Sequence, residues 1–202
     1  MEKDDLIPSQ QIGKQTDAVK AKKFSSGLAA KEFFDKAVSR LLNINHWHRI
    51  STIETIRFQL FDNKGSALER IASDGDFIRI DIPGPGTSAG KGYDWVHIES
   101  MEQYSNAKSD TDFAVFLARP CPVPGQMGNY TAYFFIPSAT LTFLVFRKGE
   151  MVSAEVHGRN EIPYVRQEGI LDKVLNIRVN AGHTLGMRYI EWDLLVSGIL
   201  SK

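Results

Sequence analysis

Cysteine is almost missing from this chain. Cys121 is the only one, which excludes an internal disulfide and a multi-cysteine zinc centre. Neither sign of charge is in excess: Lys+Arg and Asp+Glu are both 24, so the whole-chain field favours neither nucleic acid nor an anionic membrane. Long apolar runs are missing as well. Phe134-Phe135-Ile136 and Leu141 to Phe146, the latter broken by Thr142, fall far short of the roughly 18 residues of a membrane span. The opening Met1-Glu2-Lys3-Asp4-Asp5-Leu6-Ile7-Pro8 lacks the apolar stretch of a secretory signal, so the expectation is a cytoplasmic protein. No Gly-x-Ser-x-Gly elbow, His-Glu-x-x-His or dinucleotide fingerprint occurs, and no fixed-period repeat is visible; no cofactor is expected.

One near-motif stands out. Pro83-Gly84-Pro85-Gly86-Thr87-Ser88-Ala89-Gly90-Lys91-Gly92 approaches a phosphate-binding loop, yet Pro85 replaces the first glycine and Gly92 replaces the Ser or Thr that would hold magnesium. Proline has no N–H to give a phosphate and glycine has no hydroxyl to give a metal. The following Tyr93 to Glu99 alternates like a strand where the motif requires a helix. The stretch therefore reads as a glycine-rich connection between strands, with Lys91 at the rim of whatever the sheet encloses.

With 43% hydrophobic and 24% charged residues, the composition is that of a globular protein. Residues 1–25 are polar and weakly periodic and read as a mobile or loosely packed segment, leaving 26–202 as a single β-rich domain with flanking helices. From Leu28, the positions Phe34, Ala37, Val38, Leu41 and Leu42 recur at helical spacing, with Ser25 or Ser26 as cap and an end near Asn43 or Asn45. Strand patterns follow at Ile56 to Leu60, Phe77 to Ile82, Trp95 to Glu99, Phe113 to Ala118, Tyr130 to Ile136, Leu141 to Arg147 and Met151 to His157. Asp172 to Val179 reads as a short helix. Met187 to Leu200 reads as a long one, with Ile190, Leu194, Leu195 and Ile199 on its apolar side.

Short connections favour antiparallel neighbours. The expected class is α+β: a strongly curved antiparallel sheet or β-barrel of about seven strands, with an N-terminal and a long C-terminal helix. Several strands are apolar on both faces, so one face packs on a helix while the other meets a ligand, a barrel interior or another subunit.

Four groups of residues carry candidate chemistry. His46 and His48 flank Trp47 and, in an extended segment, would point to one side as weak metal candidates; the alternative is a buried Trp47 with the histidines at the surface. Glu155, His157 and Arg159 share a strand face opposite Val152, Ala154 and Val156. They combine an anion grip, a proton carrier and an orienting carboxylate, or else form a solvated outer face; Gly158 among them suits a bulge or a close approach. Trp95 and His97, with Glu99 on the same face and Asp94 at the entrance, offer a stacking platform or an ordinary outer sheet surface. Cys121 sits between Pro120 and Pro122 in a loop where it would be displayed, with no nucleophile signature around it.

Trp47 after the first helix, an antiparallel meander and a final amphipathic helix containing Trp192 together resemble START-like helix-grip proteins in layout. The resemblance implies a curved sheet around a C-terminal helix enclosing an apolar cavity. No motif carries it, the chain shows no clear strand before its first helix, and no functional residue is transferred by it. The functional expectation is a binding protein holding a small apolar or amphipathic molecule between sheet and final helix, lined by Phe134, Phe143 and Phe146. The first alternative is a homo-oligomeric assembly module. The second is an enzyme acting on a small polar substrate through Glu155, His157 and Arg159.

Overall fold

The computed structural model of the protein describes residues 3–51, 56–82, 88–126, 131–163 and 192–201. Helix α1 spans Gly27–Leu42, and Ser26 caps it in an extended conformation, its hydroxyl accepting the Ala29 N–H at 3.2 Å. Its stripe of Phe34, Ala37, Val38, Leu41 and Leu42 is buried, and Asn43 ends it. The chain then tightens into a 3-10 turn, Ile44–His46, and a single helical turn α2, Trp47–Ile50. His46 and His48 thus sit on a helical segment, and the extended geometry expected of them is absent.

Eight strands follow the order β1-β8-β7-β6-β5-β4-β2-β3 in one curved, open sheet. They are β1 Lys14–Lys23, β2 Arg57–Phe61, β3 Ala67–Leu68, β4 Phe77–Asp81, β5 Asp94–Asn106, β6 Thr111–Pro120, β7 Thr140–Lys148 and β8 Met151–Glu161. Every pairing is antiparallel. β1 and β3 stand at the two edges, so the sheet does not close into a barrel. The α+β class and the antiparallel sheet are as the sequence predicts.

Three differences are physical in origin. Strand β1 lies before the first helix, where the sequence shows no clear strand. It pairs with β8 along its length, yet only Ala18 of its residues is buried, so little alternation marks it. Strand β5 runs on to Asn106 through exposed polar residues, past a register shift between Ile98 and Ser100. The strand expected over Tyr130 to Ile136 is an irregular stretch over its described residues 131–136, with one bridge between Phe135 and Pro163. Its buried apolar residues satisfy their backbone piecemeal: Ala132 accepts from the Trp95 N–H at 2.7 Å and donates to Cys121 O at 2.9 Å, while Ile136 donates to Ile162 O at 3.0 Å. Prolines 83 and 85 of the glycine-rich stretch and the helix expected at Asp172 to Val179 lie outside the described residues. Beyond 83–87, that stretch makes a 3-10 turn at Ser88–Gly90 and delivers the chain to β5, which pairs with β4.

One face of the sheet carries the helices. Trp47 is fully buried there, with ring centroids 5.2 Å from Phe58, 5.1 Å from Phe143 and 6.2 Å from Phe116, and its indole N–H donates to Leu41 O at 3.0 Å. The final helix α3, described over 192–199, adds Trp192 edge-on to Phe143 at 5.4 Å and buries Leu195, Val196 and Ile199. Leu194, expected on its apolar side, is 37% exposed, and Ile190 lies outside the described residues. Gly198 has the Ile50 carbonyl where a Cβ would stand, so glycine sets how closely α3 approaches α2. Arg40 fastens the end of the chain, donating to Ile199 O at 2.9 Å and Ser201 O at 2.6 Å. A buried Arg147–Asp112 pair at 2.5 Å, with Ser105 also bonded to Asp112, anchors the β6–β7 ladder. No helix among the described residues is long and apolar enough to cross a membrane.

Cys121 is buried, against the displayed position its flanking prolines suggested. It packs with Phe61, Trp95 and Ala132, and burial pushes its thiol up to about 12. Ellman's reagent should therefore leave native protein unmodified and react promptly in urea; fast labelling of the native state would contradict this burial. Trp47→Ala should cost about 3–5 kcal/mol in urea-unfolding free energy, as for large aromatic deletions in close-packed cores.

Candidate functional site

On β8, Val152, Ala154 and Val156 enter the helix-covered core, which turns Ser153, Glu155, His157 and Arg159 to the opposite face. Register decides what meets them. Across β1, Ala21 stands opposite Ser153, Val19 opposite Glu155 and Asp17 opposite His157. Across β7, Phe146, Leu144, Thr142 and Thr140 stand opposite Ser153, Glu155, His157 and Arg159 in turn. The outer face thereby grades from apolar to polar along the strands.

Glu155 is fully buried. Its Oε1 accepts from Ser153 Oγ at 2.5 Å and from Lys3 Nζ at 3.1 Å, and its Oε2 lies 2.9 Å from His157 Nε2. His157 Nδ1 lies 2.6 Å from Asp17 Oδ1, and Arg159 reaches the same Asp17 oxygen at 2.7 Å. The network thus runs Lys3, Glu155, His157, Asp17, Arg159 across three segments of chain. Burial alone would raise the Glu155 carboxyl, but hydrogen bonds from His157, Ser153 and Lys3 outweigh it and hold the group below the usual carboxylate range. Asp17 follows the same logic: burial raises it, and His157 and Arg159 lower it further than burial lifts it.

The N-terminal segment is tied over this end of β8. Asn160 adopts φ 56° and its side-chain oxygen accepts the Gln11 and Ile12 N–H groups at 2.9 and 3.1 Å, while its own N–H donates to Gln10 Oε1 at 2.9 Å. Gly158 has no room for a Cβ because the Glu161 and Thr16 side chains close over it. The close approach at this glycine is thus internal. Beside the network, the Thr140 and Thr142 hydroxyls are buried with no hydrogen-bond partner among the described residues.

An open depression of about 310 Å³ adjoins Glu155. Val19, Ala21, Phe146 and Met151 supply its apolar walls, and Lys3, Ser153 and Glu155 its polar end. Glu155, His157 and Arg159 are therefore brought together as their spacing suggested, with Phe146 close by. Phe143 is separated from them by the sheet and lies in the Trp47 cluster. Phe134 is half-buried, edge-on to Phe135 at 5.2 Å. Trp95 is buried against Phe61 at 5.0 Å, and His97 tilts over Phe77 at 4.7 Å, both on the β4–β5 part of the outer face. Glu99 is paired with Arg119 at 2.9 Å. Lys91 sits in a turn at φ 54° and is exposed. Lys3, Asp17 and Val19 were missed in the sequence; Ser153 was readable from its place two before Glu155.

No family model matches the chain, and no curated protein matches it in sequence. Among solved structures, Ara h 8.0201 is similar at 10% identity over 90% of this chain and 99% of that one, with a TM-score of 0.33. Ginseng major latex-like protein 151 from Panax ginseng is similar at 11% identity over 89% and 97%, with a TM-score of 0.32. The Zhui aromatase/cyclase from Streptomyces sp. R1128 is similar at 7% identity over 90% and 93%, with a TM-score of 0.36. Scores this low define no family, and no ligand or residue role is carried over from these proteins.

The lowered carboxyls carry a pH consequence. Groups held below their ordinary range stabilise the fold above that range, and the contribution is lost progressively as pH falls from that range down through their lowered values. The urea midpoint should therefore drop between about pH 6 and about pH 3. Glu155→Gln should cost about 1–3 kcal/mol near neutrality and flatten that drop; an unchanged pH profile would remove Glu155 from the account.

Proposed function

We propose that the protein binds a small amphipathic molecule on the outer face of its sheet, in the depression beside Glu155. The observation that carries this reading is a fully buried carboxylate, met by Lys3 at 3.1 Å, at the end of an apolar-walled depression of about 310 Å³. Val19 and Met151, 44% and 42% exposed, offer apolar surface for a tail. Lys3 shows which chemistry the carboxylate accepts, since an ammonium already sits 3.1 Å from Glu155. A ligand head that donates hydrogen bonds, an amine above all, suits that position.

This moves the ligand away from the space between sheet and final helix. Over its described residues that space is filled by Trp47, Phe58, Phe143 and Trp192, which leaves no described opening there. The enzyme alternative is less well supported. Each ring nitrogen of His157 already faces a carboxylate oxygen, so the imidazole holds Asp17 and Glu155 in place and has no nitrogen turned to a substrate. Assembly through edge pairing is opposed by Lys14, Lys20, Lys22 and Lys23 along the free edge strand β1.

Isothermal titration with decylamine and with decanoate tests the proposal. Decylamine should bind saturably and decanoate should not, because the head meets a carboxylate. Val19→Asn, at an exposed wall position, should weaken decylamine several-fold by hindering tail burial without adding charge, and Glu155→Gln should weaken it about ten-fold by removing the charge on the head's partner. Equal binding of the two probes, or a wild-type affinity in Val19→Asn, would sink the reading.

A further inference from the structure

A second depression, of about 370 Å³, lies at the open side of β2 and is lined by a different chemistry. Burial of Trp47 decides its floor. With that ring fixed in the core, the tight helical turn around it leaves His46, His48 and Arg49 along the pocket wall. β2 adds Arg57 and Gln59, and β4 adds Arg79 and Asp81. Three arginines and two histidines therefore border one concavity.

The acids in the wall do not balance them evenly. Asp81 stands directly opposite Arg57 in the β2–β4 ladder, and Glu69 accepts the Asn45 amide at 3.3 Å. Arg49 and Arg79 form no ion pair among the described residues. Arg79 is held in place without a carboxylate: Gln59 Oε1 accepts one of its N–H groups at 3.0 Å, and its guanidinium lies 4.5 Å from the Tyr93 ring centre and 5.0 Å from that of Phe61. A guanidinium clamped by ring faces and by a single amide keeps most of its five donors in hand. His48 reports the resulting field, since burial and then the neighbouring Arg57, Arg49 and His46 push its imidazole below the ordinary histidine range.

We propose that this pocket binds a phosphate group, either as the free ion or as the monoester of a small polar molecule. Planar guanidinium forks from more than one element, in a wall that also carries two imidazoles, match several oxygens of a tetrahedral anion; a carboxylate would use only one fork. The volume leaves room for an ester substituent. The site shares no lining residue with the depression beside Glu155, so either can fail without the other.

Titration of inorganic phosphate and of phenyl phosphate, followed by the ring signals of His46 and His48 in NMR at constant ionic strength, tests it. Both rings should shift saturably. Arg49→Ala, at an exposed residue whose loss does not threaten folding, should weaken binding about ten-fold, and Arg79→Lys should do likewise by removing the stacked fork. Arg119→Ala, in the Glu99 pair on other strands, should change nothing. Tighter binding of phenyl phosphate would mark an ester as the ligand, and equal binding would mark the free ion. Absence of saturation, a shift reproduced by chloride, or undiminished affinity in Arg49→Ala would overturn the proposal.

Discussion

Close packing around Trp47 constrains everything else in the molecule. Its indole is ringed by Phe58, Phe116 and Phe143, and Trp192 of the final helix closes on Phe143 and Phe58. Over the described residues the helix-covered face is filled by this cluster, while the two depressions lie elsewhere, on the outer face and beside β2. The same ring sets the helical turn that carries His46, His48 and Arg49, so the core anchor also positions a surface site.

The outer face sets a different problem. A carboxylate with no exposed surface is costly unless charge and hydrogen bonds surround it. Glu155 is met by His157 and Ser153 from its own strand, but its remaining partner comes from Lys3, near the start of the chain. The N-terminal segment is thus fastened by polar contacts with Glu155 and Asn160, and apolar burial contributes little to it. Such contacts are directional, and the loss of one partner strands the other in a dry setting.

Helix α1 was readable because its cap, its apolar stripe and its terminus agree with one another. Strands β2 and β4 were readable because Ile80, Ile78, Leu60 and Phe58 alternate with polar neighbours. Strand β1 was not, since only Ala18 of its residues is buried and its stability comes from a partner far along the chain. The run at Phe134 misled for the opposite reason: it is apolar enough for a strand, yet its backbone bonds go to separate partners. Of the candidate site, alternation supplied Glu155, His157 and Arg159 on one face. It could not supply Asp17 or Lys3, because nothing local says which strand lies alongside. The pair at His46 and His48 shows the same limit in miniature, since spacing cannot separate an extended stretch from a tight helical turn.

The pairing of β1 with β8 has a consequence during synthesis. Asp17 and His157 are 140 residues apart in sequence, and their strands form one border of the sheet. During synthesis, β1 has no ladder to join until β8, at Met151–Glu161, has followed it. Contacts of such long range are closed late and slowly. A lysine-rich strand is suited to that wait, because its charges keep it solvated and discourage pairing with neighbouring nascent chains. The charge pattern that hides β1 in the sequence is what lets it remain unpaired without harm until β8 arrives.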